Sequence, residues 1–198
     1  MSVVVVKLGV GNTASVMFAL ERLGVGAVLT DDVARIAEAE RVILPGVGAA
    51  GHALRLLRAK GLGEVLCSFA RPLLGICLGQ QLLFGSSEEG DAEGLGLIPG
   101  RVKRLPNSAQ APTPHMGWSK LRPTQDNPLS EGIRAEDYTY FVHSYVCPEG
   151  EATIATAEYG AAFPAMVARG NVFGCQFHPE RSGAVGARIL QNFVALPC

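Results

Sequence analysis

The chain has 198 residues, 48% of them hydrophobic, and a formal net charge of −1 at pH 7. A length of roughly 100–200 residues is typical of one domain with a substantial core, so we expect a single domain over residues 1–198. The nearly balanced charge argues against a nucleic-acid-binding protein, which would carry a basic excess or a basic stripe.

No apolar stretch approaches the roughly 20 residues that cross a bilayer, and the apolar run at residues 3–6 is too short for a signal peptide. We therefore expect a cytoplasmic protein, in a compartment where thiols stay reduced. The five cysteines form no C-x-x-C pair, so the sequence indicates neither a disulfide framework nor a zinc site, and we expect no metal or cofactor. Each cysteine is then either core filling or part of the chemistry.

The first half of the chain alternates apolar runs with amphipathic segments. We predict strands at residues 3–8, 25–29, 41–44 and 72–76. We predict helices from residue 13 to Gly24, after residue 48, and from a start near Gln80; the second of these carries Leu54, Leu57 and Leu62 inward. This alternation is typical of a mostly parallel sheet with helices on both faces.

The second half has a different texture. Residues 86–94 are acidic and lack an apolar period, which predicts a solvated loop. After them we predict strands linked by short turns at residues 97–105, 118–121, 138–146, 152–156, 165–168 and 172–177, and a closing helix over residues 183–196. The predicted fold class is therefore α/β, with a mostly parallel central sheet flanked by helices and additional antiparallel strands in the second half.

The sequence G-I-C-L-G at residues 75–79 lies where a buried strand is expected to pass into a helix. Glycines on both sides of Cys77 would allow a tight turn that lifts its sulfur above the edge of the sheet. The start of the helix would favour a thiolate there, and the Leu78 N–H could bind an oxyanion. A free cysteine is more commonly a small buried hydrophobic residue, so this interpretation requires a base nearby.

His178 directly follows the predicted strand at residues 172–177, in the sequence H-P-E. Because Pro179 restricts the backbone between them, Glu180 could accept a hydrogen bond from one imidazole nitrogen of His178. The other nitrogen would then take the cysteine proton, as in a catalytic triad. Taken separately, His178 could be a capping residue and Glu180 a surface acid, but together with Cys77 they supply a base and an orienting acid.

The residues G-I-C-L-G-Q-Q at 75–81 and H-P-E at 178–180 resemble the signature of class I (triad) glutamine amidotransferases, and the resemblance covers nearly the whole chain in order. Within that family, further segments resemble the glutaminase subunit of imidazole glycerol phosphate synthase, an enzyme of histidine biosynthesis. They are G-V-G-N at 9–12 followed by S-V at 15–16, P-G-V-G at 45–48, P-H-M-G-W at 114–118 and H-S-Y at 143–145. The family usually has Asp-Tyr before the first of these segments, where this chain has Lys7 and Leu8.

The resemblance implies an enzyme that hydrolyses glutamine to glutamate and ammonia. By residue, it implies that Cys77 attacks the carboxamide carbon, that His178 protonates the departing ammonia, and that Glu180 holds the imidazole. It also implies that the backbone N–H groups of Val47 and Leu78 stabilise the tetrahedral oxygen.

The resemblance further implies a substrate pocket and a partner. The residues implied to bind glutamine are Gly48, Gln81, His143, Ser144 and Tyr145. Those implied to meet the partner are Asn12, Met116, Trp118, Tyr140 and Arg181. The implied partner is the cyclase subunit, which is a (β/α)₈ barrel that receives the ammonia in a heterodimer.

Other interpretations fit parts of this pattern. A glutaminase of the same class that feeds pyridoxal phosphate or anthranilate synthesis would not account for the H-S-Y and P-H-M-G-W segments. A non-catalytic binding module on the same scaffold would be expected to lack a triad residue. A cysteine hydrolase or thiol-stress protein would leave Gln81, Ser144 and Tyr145 without a purpose. Trp118 and Met116 could also be ordinary core residues.

Overall fold

The computed structural model of the chain describes residues 2–9 and 12–198, so two residues of the G-V-G-N segment at 9–12 lie outside it. Its strands are β1 (Val3–Val6), β2 (Ala27–Thr30), β3 (Arg41–Gly46), β4 (Leu73–Cys77), β5 (Phe84–Ser87), β6 (Ala92–Glu93), β7 (Ile98–Arg104), β8 (His115–Lys120), β9 (Arg122–Pro123), β10 (Tyr138–His143), β11 (Tyr145–Val146), β12 (Thr153–Tyr159), β13 (Ala161–Arg169) and β14 (Val172–Cys175). Its helices are α1 (Thr13–Arg22), α2 (Val33–Glu38), α3 (Ala50–Ala59), α4 (Leu62–Cys67), α5 (Leu78–Leu82) and α6 (Gly183–Ala195).

An eight-stranded sheet runs through the molecule in the order β2-β1-β3-β4-β14-β13-β12-β9. The strands from β2 to β14 pair in parallel, and β13, β12 and β9 add antiparallel pairs. A hairpin of β8 and β10 and a four-stranded sheet in the order β11-β7-β5-β6 accompany it. The predicted α/β fold class, with parallel strands first and antiparallel strands in the second half, is therefore confirmed.

Both faces of the central sheet are covered, which explains the uninterrupted valine run of β1. Side chains alternate between the two faces of a strand. Val3 and Val5 accordingly pack with residues of α1 and α6, while Val4 and Val6 pack with residues of α2, α3 and α4. None of the helices in residues 2–9 and 12–198 is long and apolar enough to cross a membrane.

Two helix predictions were wrong in detail. The helix after residue 48 does not carry Leu62, because Gly61 adopts a left-handed conformation (φ +66°) after α3 and a separate helix, α4, begins at Leu62. The helix expected near Gln80 begins at Leu78, directly after the turn at Cys77. The helix α2 was not predicted, although Asp32 caps it by accepting hydrogen bonds from two backbone N–H groups.

The prediction of a solvated loop at residues 86–94 was also wrong. Strands β5 and β6 form an antiparallel hairpin there, in which Ser86 pairs with Glu93 and Ser87 with Ala92. Strand β5 also pairs in parallel with β7, and Phe84 is buried at its start. The acidic residues Glu88, Glu89 and Asp91 lie in the turn of this hairpin, and their composition could not reveal that β5 also pairs with β7.

The order of the strands brings three chain segments to one edge. Strands β3, β4 and β14 are neighbours and run in parallel, so their carboxyl ends meet. Gly46 ends β3 opposite Cys77, which ends β4, and His178 follows shortly after β14. In open α/β sheets, ligands bind beyond the carboxyl ends of the strands, so this edge is where a site is expected.

Candidate active site

Cys77 occupies a strained turn between β4 and α5. Its backbone has φ +55° and ψ −111°, a region that residues with a side chain rarely adopt. A Cβ atom added at Gly75 would lie 2.6 Å from the Gly79 carbonyl carbon, and one at Gly79 would lie 1.8 Å from the Leu44 carbonyl oxygen. Glycine is thus required on both sides, as the sequence predicted: at residue 75 for the strand to fit against α5, and at residue 79 for α5 to fit against β3.

The Cys77 side chain is buried, with 6% of the residue exposed, but its sulfur has polar neighbours. The thiol donates to the Val142 carbonyl oxygen at 3.7 Å, and Gln176 Nε2 lies 3.9 Å from Sγ as a donor. The sulfur also lines a cavity, as described below. A strained backbone, polar contacts and a cavity together distinguish Cys77 from a cysteine that only fills the core.

His178 and Glu180 form a buried pair beside Cys77. His178 Nδ1 donates to Glu180 Oε1 at 2.8 Å, and the two side chains are 10% and 2% exposed. Burial lowers the pKa of His178, but hydrogen bonding to Cys77 and Glu180 and the charges of those groups outweigh burial and raise that pKa to about 10. With Nδ1 held by Glu180, the remaining ring nitrogen is the one available to the thiol.

The backbone around His178 is fixed by strand β10. The His178 N–H donates to the Tyr140 carbonyl oxygen at 2.9 Å. Ser182 Oγ donates to the His178 carbonyl oxygen at 2.7 Å and accepts from the Tyr140 N–H at 3.0 Å. A 3₁₀ turn over Pro179–Arg181 then turns Glu180 back toward the imidazole. The geometry expected from the H-P-E sequence is therefore present.

A cavity of about 240 Å³ opens beside Cys77. Its lining residues are Val47, Gly48, Cys77, Leu78, Gln81, Glu89, Pro114, Val142, His143, Ser144, Tyr145 and His178. The set includes both residues expected to form an oxyanion hole and all five expected to bind glutamine. Two of the three residues expected to form a triad, Cys77 and His178, face the same space, while Glu180 lies behind His178.

Comparison with known proteins agrees with this geometry. Residues 5–196 match the family described as "Glutamine amidotransferase class-I". The chain belongs to the class-I glutamine amidotransferase family. It is 51% identical to "Imidazole glycerol phosphate synthase subunit HisH" of Idiomarina loihiensis over 99% of this chain and 98% of the relative, and 50% identical to the protein of that name from Xanthomonas axonopodis pv. citri over 98% and 97%.

Solved structures agree on the fold of this class-I amidotransferase. One described as a glutamine amidotransferase superposes with a TM-score of 0.75 at 23% identity, covering 97% of this chain and 96% of the other. A structure of PurLQS from Thermotoga maritima gives 0.72 at 22% identity, covering 98% and 97%. The family predicted from the sequence is confirmed by the family match, and its assignment to the glutaminase subunits of imidazole glycerol phosphate synthase by the curated relatives.

Glu89 lines the cavity of this amidotransferase, a position that the sequence did not predict. Its Oε2 accepts a hydrogen bond from the Ala50 N–H at 2.7 Å, and its own N–H donates to Ser87 Oγ at 3.1 Å. It was placed in a solvated loop, whereas the hairpin of β5 and β6 carries it across the start of α3 to the cavity. Among the described residues that line the cavity, Glu89 is the one with a carboxylate.

Gln81 lies in the wall of the amidotransferase cavity, and its side-chain amide is hydrogen-bonded to other residues of the protein. Its Nε2 donates to the Tyr145 carbonyl oxygen and to Gln176 Oε1, both at 2.9 Å. His143 Nδ1 lies 2.9 Å from the same carbonyl oxygen. The carbonyl of Tyr145 is therefore held from two sides, and residues 143–145 are fixed against α5.

The residues expected to meet a partner lie mainly on the outer face of the hairpin of β8 and β10. Met116 and Trp118 are 64% and 53% exposed, so neither is a core residue. Trp118 and Tyr140 lie opposite each other with ring centroids 5.7 Å apart, and the Arg181 guanidinium lies 5.4 Å from the Tyr140 ring. We call Met116, Trp118, Tyr140 and Arg181 the aromatic face.

Asn12 occupies a different position from the residues of the aromatic face. Its side chain accepts a hydrogen bond from the Ser15 N–H at 3.3 Å and caps α1. The residue itself is exposed. The cap accounts for an asparagine before this helix without any partner, so a role for Asn12 in an interface remains a prediction.

Proposed function

We propose that Cys77, His178 and Glu180 carry the glutamine hydrolysis of this glutaminase subunit of imidazole glycerol phosphate synthase. The observation that supports this most is their convergence: a cysteine on a strained turn and a histidine oriented by a buried carboxylate face one cavity at the carboxyl edge of the sheet. This arrangement supplies a nucleophile, a base and an orienting group in contact.

The proposed reaction has two halves. The Cys77 thiolate attacks the carboxamide carbon of glutamine, and the C–N bond breaks as protonated His178 gives its proton to the leaving ammonia. The product is a thioester between Cys77 and the glutamyl group. Water then attacks the thioester, His178 takes up a proton from it, and the thiolate leaves as glutamate forms. Glu180 keeps Nδ1 of His178 occupied throughout, so that Nε2 does the proton transfer.

A tetrahedral intermediate forms in each half of the reaction. Its negatively charged oxygen requires hydrogen-bond donors on the side of the cavity next to β3. Gly46 lies opposite Cys77 in the sheet, so Val47 and Leu78 come next to each other at the mouth of the cavity. We assign the oxyanion hole to their backbone N–H groups. Removal of one such donor costs about 100–1,000-fold in rate, so the orientation of the Val47 peptide determines whether the triad works.

The cavity also fits the amino-acid end of glutamine. The carboxylate of Glu89 suits the α-ammonium group of the substrate, because opposite charges attract strongly in a partly enclosed site. Gly48 is near the start of α3, and residues 143–145 form the opposite wall held by Gln81. We therefore propose that the charged end of glutamine lies away from the sulfur and that its carboxamide lies against the sulfur.

We propose that the partner is the cyclase subunit, a (β/α)₈ barrel that receives the ammonia. We also propose that the complex is cytoplasmic. The aromatic face supports the proposed partner, since an exposed cluster of Trp, Tyr, Met and Arg has the composition of an interface centre. One of its residues, Tyr140, lies on strand β10, whose Val142 carbonyl contacts the Cys77 thiol. A partner on this face would therefore sit close to the site of ammonia release.

We further propose that the partner controls the oxyanion hole. Val47 is 38% exposed and Gly48 has φ +91°, a conformation open to glycine but unfavourable for other residues. With glycines at 46 and 48, the Val47 peptide can take more than one orientation at small cost. Without the partner an inactive orientation would suppress wasteful hydrolysis of glutamine.

The triad is tested with the assembled complex of both subunits. Cys77→Ala and His178→Ala should each abolish glutamine-dependent synthesis, by about 10⁴-fold or more, while synthesis from added ammonia persists. Cys67→Ala removes an exposed thiol outside the site and serves as the matched control, with expected wild-type rates. Full glutamine turnover by Cys77→Ala would overturn the assignment.

A further inference from the structure

His115 is a buried titratable residue to which the proposed reaction gives no role. It lies on the inner face of the hairpin of β8 and β10, with 2% of the residue exposed. Its ring stacks between two aromatic rings, with centroids 5.0 Å from Phe141 and 4.1 Å from Tyr159. Stacking alone would be satisfied by phenylalanine, so the two ring nitrogens of His115 need a separate explanation.

Both nitrogens belong to a chain of hydrogen bonds that reaches the wall of the cavity. Ser119 Oγ lies 3.0 Å from His115 Nε2, and His115 Nδ1 lies 3.1 Å from His143 Nε2. His143 Nδ1 in turn lies 2.9 Å from the Tyr145 carbonyl oxygen. This series of hydrogen bonds therefore runs from Ser119 on strand β8, next to Trp118, to His143 and Tyr145 in the wall of the cavity.

The direction of every hydrogen bond in this chain follows from its last acceptor. A carbonyl oxygen can only accept, so His143 Nδ1 carries the hydrogen. In a neutral imidazole the other nitrogen then accepts, which requires His115 Nδ1 to donate to His143 Nε2. By the same step, His115 Nε2 accepts from the Ser119 hydroxyl group. One arrangement of hydrogens satisfies all the bonds, provided that both rings are neutral.

Burial keeps both rings neutral. It lowers the pKa of His115 to about 4. It also lowers the pKa of His143 to about 3, with the Tyr145 carbonyl opposing this in part and the charges of His115 and His178 adding to it. Protonation of His143 would place its Nε2–H against the Nδ1–H of His115, so the neutrality of His143 and the order of the hydrogen bonds support each other.

The Tyr145 carbonyl at the end of this series is connected to Cys77 through the side chains of two glutamines. The Tyr145 oxygen also accepts from Gln81 Nε2, which donates to Gln176 Oε1 as well. Gln176 Nε2 faces Cys77 Sγ at 3.9 Å. The position of the Tyr145 carbonyl thus affects the same residues that line the cavity and approach the sulfur.

We propose that His115 is a positioning residue of the glutamine pocket, which donates from Nδ1 to His143 Nε2 and so fixes the ring whose Nδ1 holds the Tyr145 carbonyl. Without that donor, His143 Nε2 is a buried acceptor without a partner, and the ring gains by rotating away from Tyr145. The wall of residues 143–145 would then lose one of its two anchors. That this pocket binds glutamine rests on the proposed function, whereas the order of the hydrogen bonds does not.

The order of the hydrogen bonds can be tested without activity, by ¹⁵N NMR of the histidine side chains in the wild-type chain at pH 7. We expect Nδ1 to carry the hydrogen in both His115 and His143, and both Nε2 atoms to be unprotonated. A ring with the hydrogen on Nε2, or with hydrogens on both nitrogens, would overturn the inference. This result does not depend on whether the chain hydrolyses glutamine.

The effect on the pocket is tested by glutaminase kinetics of the assembled complex. His115→Phe keeps the stacking but removes the donor, and we expect KM for glutamine to rise about tenfold with kcat within about twofold, because an unpaired buried acceptor weakens the wall and leaves the triad intact. His115→Asn can still donate near the position of Nδ1, so it should restore most of the loss. His52→Phe changes an exposed histidine and is the matched control.

Three outcomes would contradict the proposal for His115. They are an unchanged KM in His115→Phe, a loss confined to kcat, and equal losses in the Phe and Asn variants. If His115→Phe fails to fold, Ser119→Ala tests the same chain from its far end, with an expected rise in KM of about threefold. Failure of the wild-type complex to release ammonia from glutamine would instead refute the proposed function and leave the NMR test valid.

Discussion

The cavity beside Cys77 has two unlike walls. The closed wall, formed by Cys77, Gln81, His143 and Tyr145, is buried or half-buried and crossed by hydrogen bonds between side chains and backbone. The open wall, formed by Val47 and Gly48, is exposed and follows directly after the end of β3. The proposed nucleophile and the proposed oxyanion donor therefore come from segments of opposite character, although their strands are neighbours in the sheet.

This difference suggests a division of labour. By this proposal, the closed wall holds the Cys77 sulfur and the surface that binds substrate in one fixed geometry. The open wall retains the freedom that regulation needs, because the Val47 peptide can reorient between two glycines at small cost. We therefore expect substitutions near the closed wall to act mainly on stability, and substitutions in the open wall to act mainly on stimulation by the partner.

The largest effect on stability is expected from Gly79→Ala, in the turn that holds Cys77 of the closed wall. The added methyl group would overlap the Leu44 carbonyl oxygen, 1.8 Å from the Cβ position, and a backbone atom of a central strand cannot move aside cheaply. We expect the free energy of unfolding to fall by about 3 kcal/mol or more, measured by urea denaturation. A loss below about 1 kcal/mol would show that this turn is not as constrained as its geometry indicates.

The corresponding change in the open wall, Gly48→Ala, is expected to be much milder for the fold. No atom lies within 4 Å of the added methyl group, so the cost is the positive φ alone, about 1–2 kcal/mol. Stimulation of glutaminase activity by the partner should fall about tenfold, since alanine makes one of the two orientations less accessible. Val47→Ala is the control: it keeps the backbone N–H and should change neither stability nor stimulation appreciably. A Gly48→Ala complex with full stimulation would contradict a regulated open wall.

A pH-dependent effect of moderate size is expected from His143 of the closed wall and from His115, which lies behind it in hydrogen-bond contact. His115 and His143 take up protons near pH 6.5 in the unfolded chain but only near pH 4 and 3 in the folded one, where burial lowers the pKa of each. Their neutral burial therefore costs no stability above pH 6.5, and stability falls as the pH drops below it. Each contributes a slope of about 1.4 kcal/mol per pH unit in the free energy of unfolding.

The slope is measured by urea denaturation in steps between pH 6 and pH 4.5. His115→Phe should reduce the slope by the contribution of one proton, about 1.4 kcal/mol per pH unit, whatever its effect on stability at pH 7. His52→Phe should leave the slope unchanged, because His52 is exposed in the folded chain. Equal slopes for wild type and His115→Phe would mean that His115 is not held neutral in the fold.

The sequence predicted the closed wall well where local geometry carries the information. The G-I-C-L-G sequence required a turn that accepts no side chain at residues 75 and 79, and the added-Cβ distances agree. The H-P-E sequence required a carboxylate within reach of the imidazole, and Glu180 is 2.8 Å from His178 Nδ1. The contact of Gly75 with Gly79 and that of His178 with Glu180 join residues close in the chain, so pattern and backbone restriction were sufficient for them.

Contacts between distant segments were not predicted. Glu89 reaches the cavity because β5 pairs with both β6 and β7, and its acidic surroundings gave no sign of that pairing. The hydrogen-bond chain of His115 depends on the register of β8 with β10, which places His115 opposite His143. A one-residue slip in that register would move His115 to the exposed face, so no local pattern could have placed it.

The central claim is that the closed wall is complete in the free chain while the open wall depends on a partner. The direct measurement is the rate of ammonia release from saturating glutamine by the free chain and by the chain in complex with the ligand-bound cyclase partner. We predict that the complex is faster by about 100–1,000-fold, the effect of gaining one oxyanion donor. Equal rates in the two samples would contradict the claim.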